Sequence, residues 1–316
     1  HQLDCSHQPI WNNQLINTWH ILGAGSIGGL FACHLSLAKQ TVSLVLRDAQ
    51  SQLLFQQSPA GLRENDGYYQ PTLSSELASQ DGSIEKLLIA TKAPQTLDAF
   101  ASIQHRLTTD SIIIILQNGM GIYQQLALLH PPEKLYCALS TEGAYQQQRF
   151  QWVHAGRGKT LIGQPQPGAG SEPIQALFKT ELSCHWSDAI EQAQLRKLAV
   201  NCAINGLSAL HNCRNGELIT NPSMHSKFQQ LCDEISRGYR AMGEPELAES
   251  VYKEAASVVE STADNYSSTL QRGNKTEIDY INGYFCELMK SLNFDCQHNQ
   301  DLWQQVRALE DKLGCR

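Results

Sequence analysis

The sequence predicts an α/β unit built on a parallel sheet, followed by an all-α unit. Three observations predict this. From Thr18 onward, short apolar runs alternate with amphipathic stretches, as they do in βαβ units. A glycine-rich turn, Gly23-Ala24-Gly25-Ser26-Ile27-Gly28, stands between an apolar run and an apolar helix-like segment. Beyond about Asp188 the strand-like alternation stops and helical periodicity takes over. The expected division is therefore an α/β unit over 18–188 and a helical unit over 189–316, with residues 1–17 set apart as a leader of unassigned role.

The first strand is Trp19 to Leu22, and the helix after the glycine turn ends near Lys39. Thr41 to Leu46 (TVSLVL) alternates as the second strand and completes one βαβ. Arg63 to Tyr69 holds an Asp-Gly turn between short strands. Lys86 to Thr91 and Ser111 to Leu116 have the continuous apolar character of buried parallel strands. Leu135 to Thr141, Phe150 to Val153 and Lys159 to Gly163 are expected to close the sheet edge. A Pro/Gly-rich loop, Gln164 to Pro173, then precedes one last helix and strand. The helical half reads as Ala189 to Leu210, Ser223 to Met242, Pro245 to Leu270, Thr276 to Leu292 and Gln300 to Leu313.

Composition narrows the function. The formal charge is -7 and no run of Lys or Arg occurs, which argues against a nucleic-acid partner and requires an anionic substrate to meet locally placed cations. The longest aliphatic run, Ile112 to Leu116, is far short of the roughly 20 residues of a membrane-spanning helix, so no membrane partner is expected. Residues 1–17 carry neither Lys nor Arg and do not read as a secretory signal. The cysteines are scattered without any C-x-x-C pair, which leaves a zinc ribbon and a dithiol motif unsupported. Reduced, buried thiols, a cytoplasmic location and no metal site are the expectation.

The glycine turn carries the first piece of chemistry. In a G-x-G-x-x-G between strand and helix, the first glycine makes the tight turn, the second lets a pyrophosphate approach the backbone, and the third lets the helix pack on the sheet. The helix N-terminus adds unpaired N–H groups for the phosphates, so residues Gly23 to Gly28 are expected to bind a dinucleotide. At the end of the second strand stand Arg47 and Asp48. A guanidinium suits the 2′-phosphate of NADP, whereas an acidic residue would hold the ribose hydroxyl of NAD; Arg47 comes first and favours NADP, with Asp48 as the other reading. Lys92 and Asn118 each follow a predicted strand at its carboxyl end, where ligands bind in open α/β sheets. A surface Lys and a turn-forming Asn-Gly are their plainer readings.

Lys197, Asn201 and Asn205 recur at i, i+4 and i+8 on an otherwise apolar helix. Such a stripe either faces solvent or lines a cavity, because burying unpaired amides and an ammonium is costly. In a cavity it would grip a carboxylate and hydroxyls. Glu277 lies in a segment where it could equally serve a helix N-terminus.

The blocks GAGSIG, LVLR, TKAPQ, LQNGMG, RKLAVNCAINGLSAL, NCRNGEL, SSTLQ and KTEIDYING together resemble the ketopantoate reductase family along nearly the whole chain. The resemblance implies a Rossmann domain followed by an all-α domain like the C-terminal one of 6-phosphogluconate dehydrogenase. It implies NADPH-dependent reduction of 2-dehydropantoate to pantoate, on the route to pantothenate. It further implies that Gly23, Gly25, Gly28, Arg47, Lys92 and Asn118 serve the cofactor, Asn118 meeting the substrate as well. Lys197 would be the acid, Asn201, Asn205, Asn215 and Ser268 would hold a small 2-keto acid, and Glu277 would orient Lys197. Two features depart from the family: Gly206 follows Asn205 where proline is common, and the stretch from Ser268 to Glu277 is a few residues short. A reductase of another 2-keto acid and a non-enzymatic NADPH sensor are the alternatives, and either a monomer or a homodimer is compatible.

Overall fold

The computed structural model describes residues 18–265, 270 and 273–315. The leader and the Ser267-Ser268 pair lie outside the described residues. Two compact units result: one holds the chain up to Gln117 together with Tyr123–Ile190, and the other holds Asn118–Ile122 and the chain from Glu191 onward.

In the first unit the elements run β1 (Trp19–Leu22), α1 (Ser26–Leu37), β2 (Val42–Leu46), α2 (Ala49–Gln57), β3 (Gly61–Glu64), β4 (Gly67–Tyr69), β5 (Ser74–Leu77), β6 (Ile84–Ile89), α3 (Ala93–Ile103) and β7 (Leu107–Leu116). They continue with α4 (Ile122–Leu126), β8 (Leu135–Ser140), β9 (Gly143–Gln148), β10 (Gln151–Gly156), β11 (Thr160–Gly163), α5 (Gln175–Phe178) and β12 (Cys184–Trp186). The main sheet has the order β12-β11-β8-β7-β6-β1-β2-β5 and is parallel except where β11 pairs with β8. β1 is central: Trp19 pairs with Val42 on one side and Lys86 on the other. Every residue of β1 and β2 is buried, which explains why all but His20 and Ser43 are apolar. From β1 the chain turns first to β2 and later returns to β6 on the opposite flank, so the carboxyl end of β1 is a topological switch point.

A second sheet, β4-β3-β10-β9, was not expected. The Phe150 to Val153 segment does not close the main edge; its strand β10 joins this second sheet, whereas β8 and β11 extend the main one as expected and β12 forms its edge. The reason is packing on α1. Trp152 is 1% exposed, and a Cβ on Gly29 of α1 would run into its indole, so β10 is seated against the helix by this close approach. The turn between β3 and β4 uses Asn65 and Asp66, both at positive φ, as a tight hairpin requires.

The second unit is helical: α6 (Ile190–His211), α7 (Glu217–Thr220), α8 (Pro222–Ala241), α9 (Pro245–Ser261), α10 (Asn282–Ser291) and α11 (Gln297–Leu313). Leu198, Ala199, Cys202, Ala203, Ile204 and Leu207 of α6 are buried in its core, where each large side chain contributes about 1.5–3 kcal/mol. Two expected helices are shorter than their periodicity suggests. α9 stops at Ser261 rather than Leu270, and α10 begins at Asn282 rather than Thr276. The Thr276 backbone N–H and hydroxyl both donate to Glu310 Oε1 of α11, at 2.7 and 2.6 Å, and the chain then makes a 3-10 turn over Ile278–Tyr280. α6 passes through Gly206 without a break, and a Cβ there would lie 2.8 Å from Ile278 Cδ1.

Candidate active site

The glycine turn has the geometry its spacing predicts. Gly23 adopts φ +102°, and a Cβ there would meet the Thr91 backbone nitrogen at 2.6 Å. A Cβ on Gly28 would collide with the Gly23 carbonyl, whereas one on Gly25 would enter open space. Gly23 and Gly28 are thus fixed by the protein's own packing, and Gly25 leaves the outer side of the turn clear for a ligand. Gly25 is the N-cap of α1 with no side-chain cap, as at helix ends that receive phosphate. Two residues that sequence reasoning missed hold this turn from the second sheet. Trp152 Nε1 donates to the Gly25 carbonyl at 2.9 Å, and Gln146 Nε2 donates to the Ala24 carbonyl at 2.9 Å.

At the end of β2, the Arg47 side chain is 95% exposed and its Nε lies 3.3 Å from Asp48 Oδ2. Asp48 is the N-cap of α2 and accepts from the Ser51 N–H at 2.7 Å, an interaction that holds its carboxyl below the usual range. Its carboxylate is therefore already engaged, while the Arg47 guanidinium reaches into solvent. Lys92 is exposed and is the N-cap residue of α3. Thr91, Thr96 and Gln117, also missed from sequence, meet at the carboxyl ends of β6 and β7. The Thr91 and Thr96 hydroxyls are 2.9 Å apart, Gln117 Nε2 donates to the Thr91 carbonyl at 3.1 Å, and Gln117 Oε1 is buried without a partner among the described residues. Their polar ends line the part of the sheet where a nucleotide would lie.

In the second unit, Lys197 on α6 is held by burial at a pKa of about 8, against an ordinary 10.5, although the Glu277 carboxylate pulls it upward. Desolvation thus prevails over the charge partner. One turn further, the amide nitrogen of Asn201 is buried without a hydrogen-bond partner, the state expected of a group that waits for a ligand. Asn205 is exposed. Asn215 Nδ2 donates to Thr262 Oγ1 at 2.9 Å, which ties the turn before α7 to the end of α9. Ser268 lies outside the described residues. Glu277 precedes the 3-10 turn, and its side chain makes no capping hydrogen bond to that turn. The segment carrying Asn118 joins the same unit: Met120 N–H donates to the Tyr280 carbonyl at 2.9 Å, and Tyr280 N–H donates to the Glu277 carbonyl at 3.0 Å. Asn118 itself is exposed.

A doubly wound sheet with a glycine turn at the start of α1, followed by a helical unit carrying a half-buried lysine of lowered pKa, is the architecture of a class of nicotinamide-dependent oxidoreductases. Residues 19–167 match the model of the N-terminal part of ketopantoate reductase PanE/ApbA, and residues 189–310 match that of its C-terminal part. The chain belongs to the ketopantoate reductase family. It is 32% identical to a 2-dehydropantoate 2-reductase of Vibrio cholerae over 92% of this chain and 97% of the relative. It is 29% identical to that of Archaeoglobus fulgidus over 93% and 98%. Among solved structures, a D-mandelate dehydrogenase with NADH and anilino(oxo)acetate superposes with a TM-score of 0.85 at 23% identity, covering 95% of this chain and all of the other (100%). A PanE/ApbA family ketopantoate reductase from Ralstonia eutropha gives 0.83 at 24%, covering 94% and 99%. No helix among the described residues is long and apolar enough to cross a membrane.

Proposed function

We propose that this chain reduces the ketone of 2-dehydropantoate to the alcohol of (R)-pantoate with NADPH. The observation that carries the reading is the pairing, one helical turn apart, of a lysine whose pKa burial lowers to about 8 and an asparagine whose buried amide nitrogen has no partner among the described residues. Bound at the glycine turn, the nicotinamide would supply hydride to the carbonyl carbon. Negative charge then develops on the carbonyl oxygen, and Lys197 is suited both to stabilise it and to deliver a proton, since a donor works best with a pKa close to the operating pH. Asn201 would hold a substrate carboxylate or hydroxyl, with Asn205, Asn215, Asn118 and Ser268 as further contacts, and Glu277 would direct the ammonium. Arg47 would meet the 2′-phosphate of the cofactor and Lys92 its nicotinamide end.

We place the reaction in the cytoplasm, because the cysteines from Cys33 to Cys315 are all free and, Cys184 apart, buried. A monomer or a homodimer would serve, and no nucleic-acid or membrane partner is part of the reading. The test mixes the protein with 2-dehydropantoate and follows the loss of reduced-nicotinamide absorbance, with NADPH and NADH and a panel of 2-keto acids in parallel. Oxidation of NADPH fastest with 2-dehydropantoate is the expected result. Turnover confined to other 2-keto acids would overturn the substrate assignment, and preference for NADH the cofactor assignment.

A further inference from the structure

In the first unit, between α1 and the second sheet, two histidines and two glutamates are gathered where sequence spacing gave no hint of them. His34 lies on the inner face of α1, Glu64 at the end of β3, His154 on β10 and Glu142 just before β9. The ligand-type atoms of His34, Glu64 and His154 all lie within 4.8 Å of one another. The side chains of His34, Glu64 and His154 are 1%, 8% and 2% exposed. The imidazole rings meet edge to face, with centroids 5.7 Å apart.

The hydrogen bonds of the group leave the ring of His34 unanswered. His154 Nε2 is 2.8 Å from Glu142 Oε2, which also accepts from the Gly158 N–H at 2.8 Å. His154 Nδ1 is 2.5 Å from Glu64 Oε1. An ionised carboxylate only accepts, so between two of them a ring with a single proton leaves one contact lone pair to lone pair. Arg157 Nη2 donates to Glu64 Oε1 at 3.0 Å, which leaves two carboxylates facing one guanidinium. A second proton on His154 would answer its own contacts but would do nothing for His34. Both ring nitrogens of His34 are buried without a hydrogen-bond partner among the described residues, and Glu64 Oε2 is 3.7 Å from its Nε2, too far for such a bond.

We propose that His34 Nε2, His154 Nδ1 and Glu64 bind a divalent transition-metal ion of the zinc class. Two imidazoles and a carboxylate are a donor set that such ions favour. Glu142 would then be the outer carboxylate that accepts the remaining N–H of His154, fixing its tautomer and turning Nδ1 toward the ion, with Arg157 as a second outer contact on Glu64. The ligands come from α1, β3 and β10, so the ion would pin the second sheet to the helix that begins at the glycine turn. Its role would be structural and would be read in binding and stability rather than in turnover.

The test strips the full-length protein with a chelator and adds back Zn²⁺ or Co²⁺. One equivalent of Zn²⁺ should bind and raise Tm, and bound Co²⁺ should show the visible bands of a nitrogen- and oxygen-ligated ion without the near-ultraviolet charge transfer of a thiolate. His34→Leu, which replaces a buried ring without partners by an apolar group, should fold and lose the bound ion. Glu142→Gln should weaken binding roughly 10- to 100-fold. Failure of the parent protein to bind either ion, a thiolate spectrum, or binding undiminished in both His34→Leu and Glu64→Gln would each overturn the proposal. The Co²⁺ spectrum of the parent decides the matter even if a variant does not fold.

Discussion

The indole of Trp152 donates to the carbonyl of Gly25 at 2.9 Å, joining the second sheet to the middle of the glycine turn. That carbonyl also accepts the first backbone bond of α1, from the Gly29 N–H at 3.0 Å. One buried side chain therefore sets the orientation of the peptide on which a pyrophosphate would rest.

Trp152→Phe keeps an aromatic ring against Gly29 but removes the donor. Losing this bond and some indole volume should cost about 1–3 kcal/mol of stability, read as a lower urea midpoint at constant m-value. NADPH affinity should fall several-fold in a direct binding titration while kcat at saturating cofactor changes little. Unchanged affinity would show that the turn holds its shape without Trp152.

Lys197 should impose an alkaline limb on the rate. A proton donor must be protonated, so kcat should fall as pH rises through about 8, the value at which burial holds this lysine. Glu277 raises that value, so Glu277→Gln should move the limb to lower pH. Lys197→Ala should reduce kcat by several orders of magnitude and leave NADPH binding intact. A limb that stays in place in Glu277→Gln would separate the two side chains functionally.

The same burial has a cost in stability whose sign is fixed. Between about 8 and 10.5 the unfolded chain holds the Lys197 proton and the folded chain does not, so stability due to this group rises with pH across that window, and below it the penalty is fully present. Lys197→Met should therefore be more stable than the parent at pH 7, by at most about 3 kcal/mol. The difference should shrink on titration toward pH 10.5. Thermal unfolding of both proteins across that range provides the measurement, and a less stable Met variant at pH 7 would contradict the desolvation account.

Arg47 tests the cofactor reading. Its guanidinium is exposed at the end of β2, whereas Asp48 is occupied in capping α2. Arg47→Ala should raise KM for NADPH at least tenfold and leave that for NADH nearly unchanged, because only NADPH carries the 2′-phosphate; a loss of one charge-assisted contact is worth about 1.5–3 kcal/mol. Equal effects on both cofactors would remove the assignment.

What was legible in the sequence was local. Gly23, Gly25 and Gly28 are read from spacing because their roles depend on neighbours within one turn, and Lys197 and Asn201 because helix geometry puts i and i+4 on one face. The bond from Trp152 to Gly25 spans 127 residues, and that from Gln146 to Ala24 spans 122, so no periodicity announces them. For the same reason an alternating strand such as β10 could be recognised as a strand without showing which sheet it joins. Helix ends depart from the periodicity where a tertiary partner captures the backbone, as Glu310 does at Thr276. The His34, Glu64 and His154 group has no sequence signature because its members lie on three elements that meet only in the folded chain.

Asn282 provides the last test, on the rigidity of the helix that carries Lys197. Its side chain is fully buried at 0% exposure; Nδ2 donates to the Cys202 carbonyl of α6 at 3.0 Å and to Asn299 Oδ1 at 2.9 Å. Asn299 in turn donates from its backbone and side-chain nitrogens to Glu234 Oε2, at 2.8 and 2.7 Å, and the N–H of His298 donates to Oε1 at 2.9 Å. A buried carboxylate of α8 thereby caps α11 and, through two amides, reaches the α6 peptide next to Asn201. Asn282→Ala removes both donors and leaves Asn299 Oδ1 buried with no partner, which should cost about 2–4 kcal/mol. Asn282→Asp should be worse, because it brings a second carboxylate into contact with the network and an acceptor where the Cys202 carbonyl needs a donor. If denaturant unfolding gave both variants the stability of the parent, the chain from Glu234 to Cys202 would not be a unit holding α6.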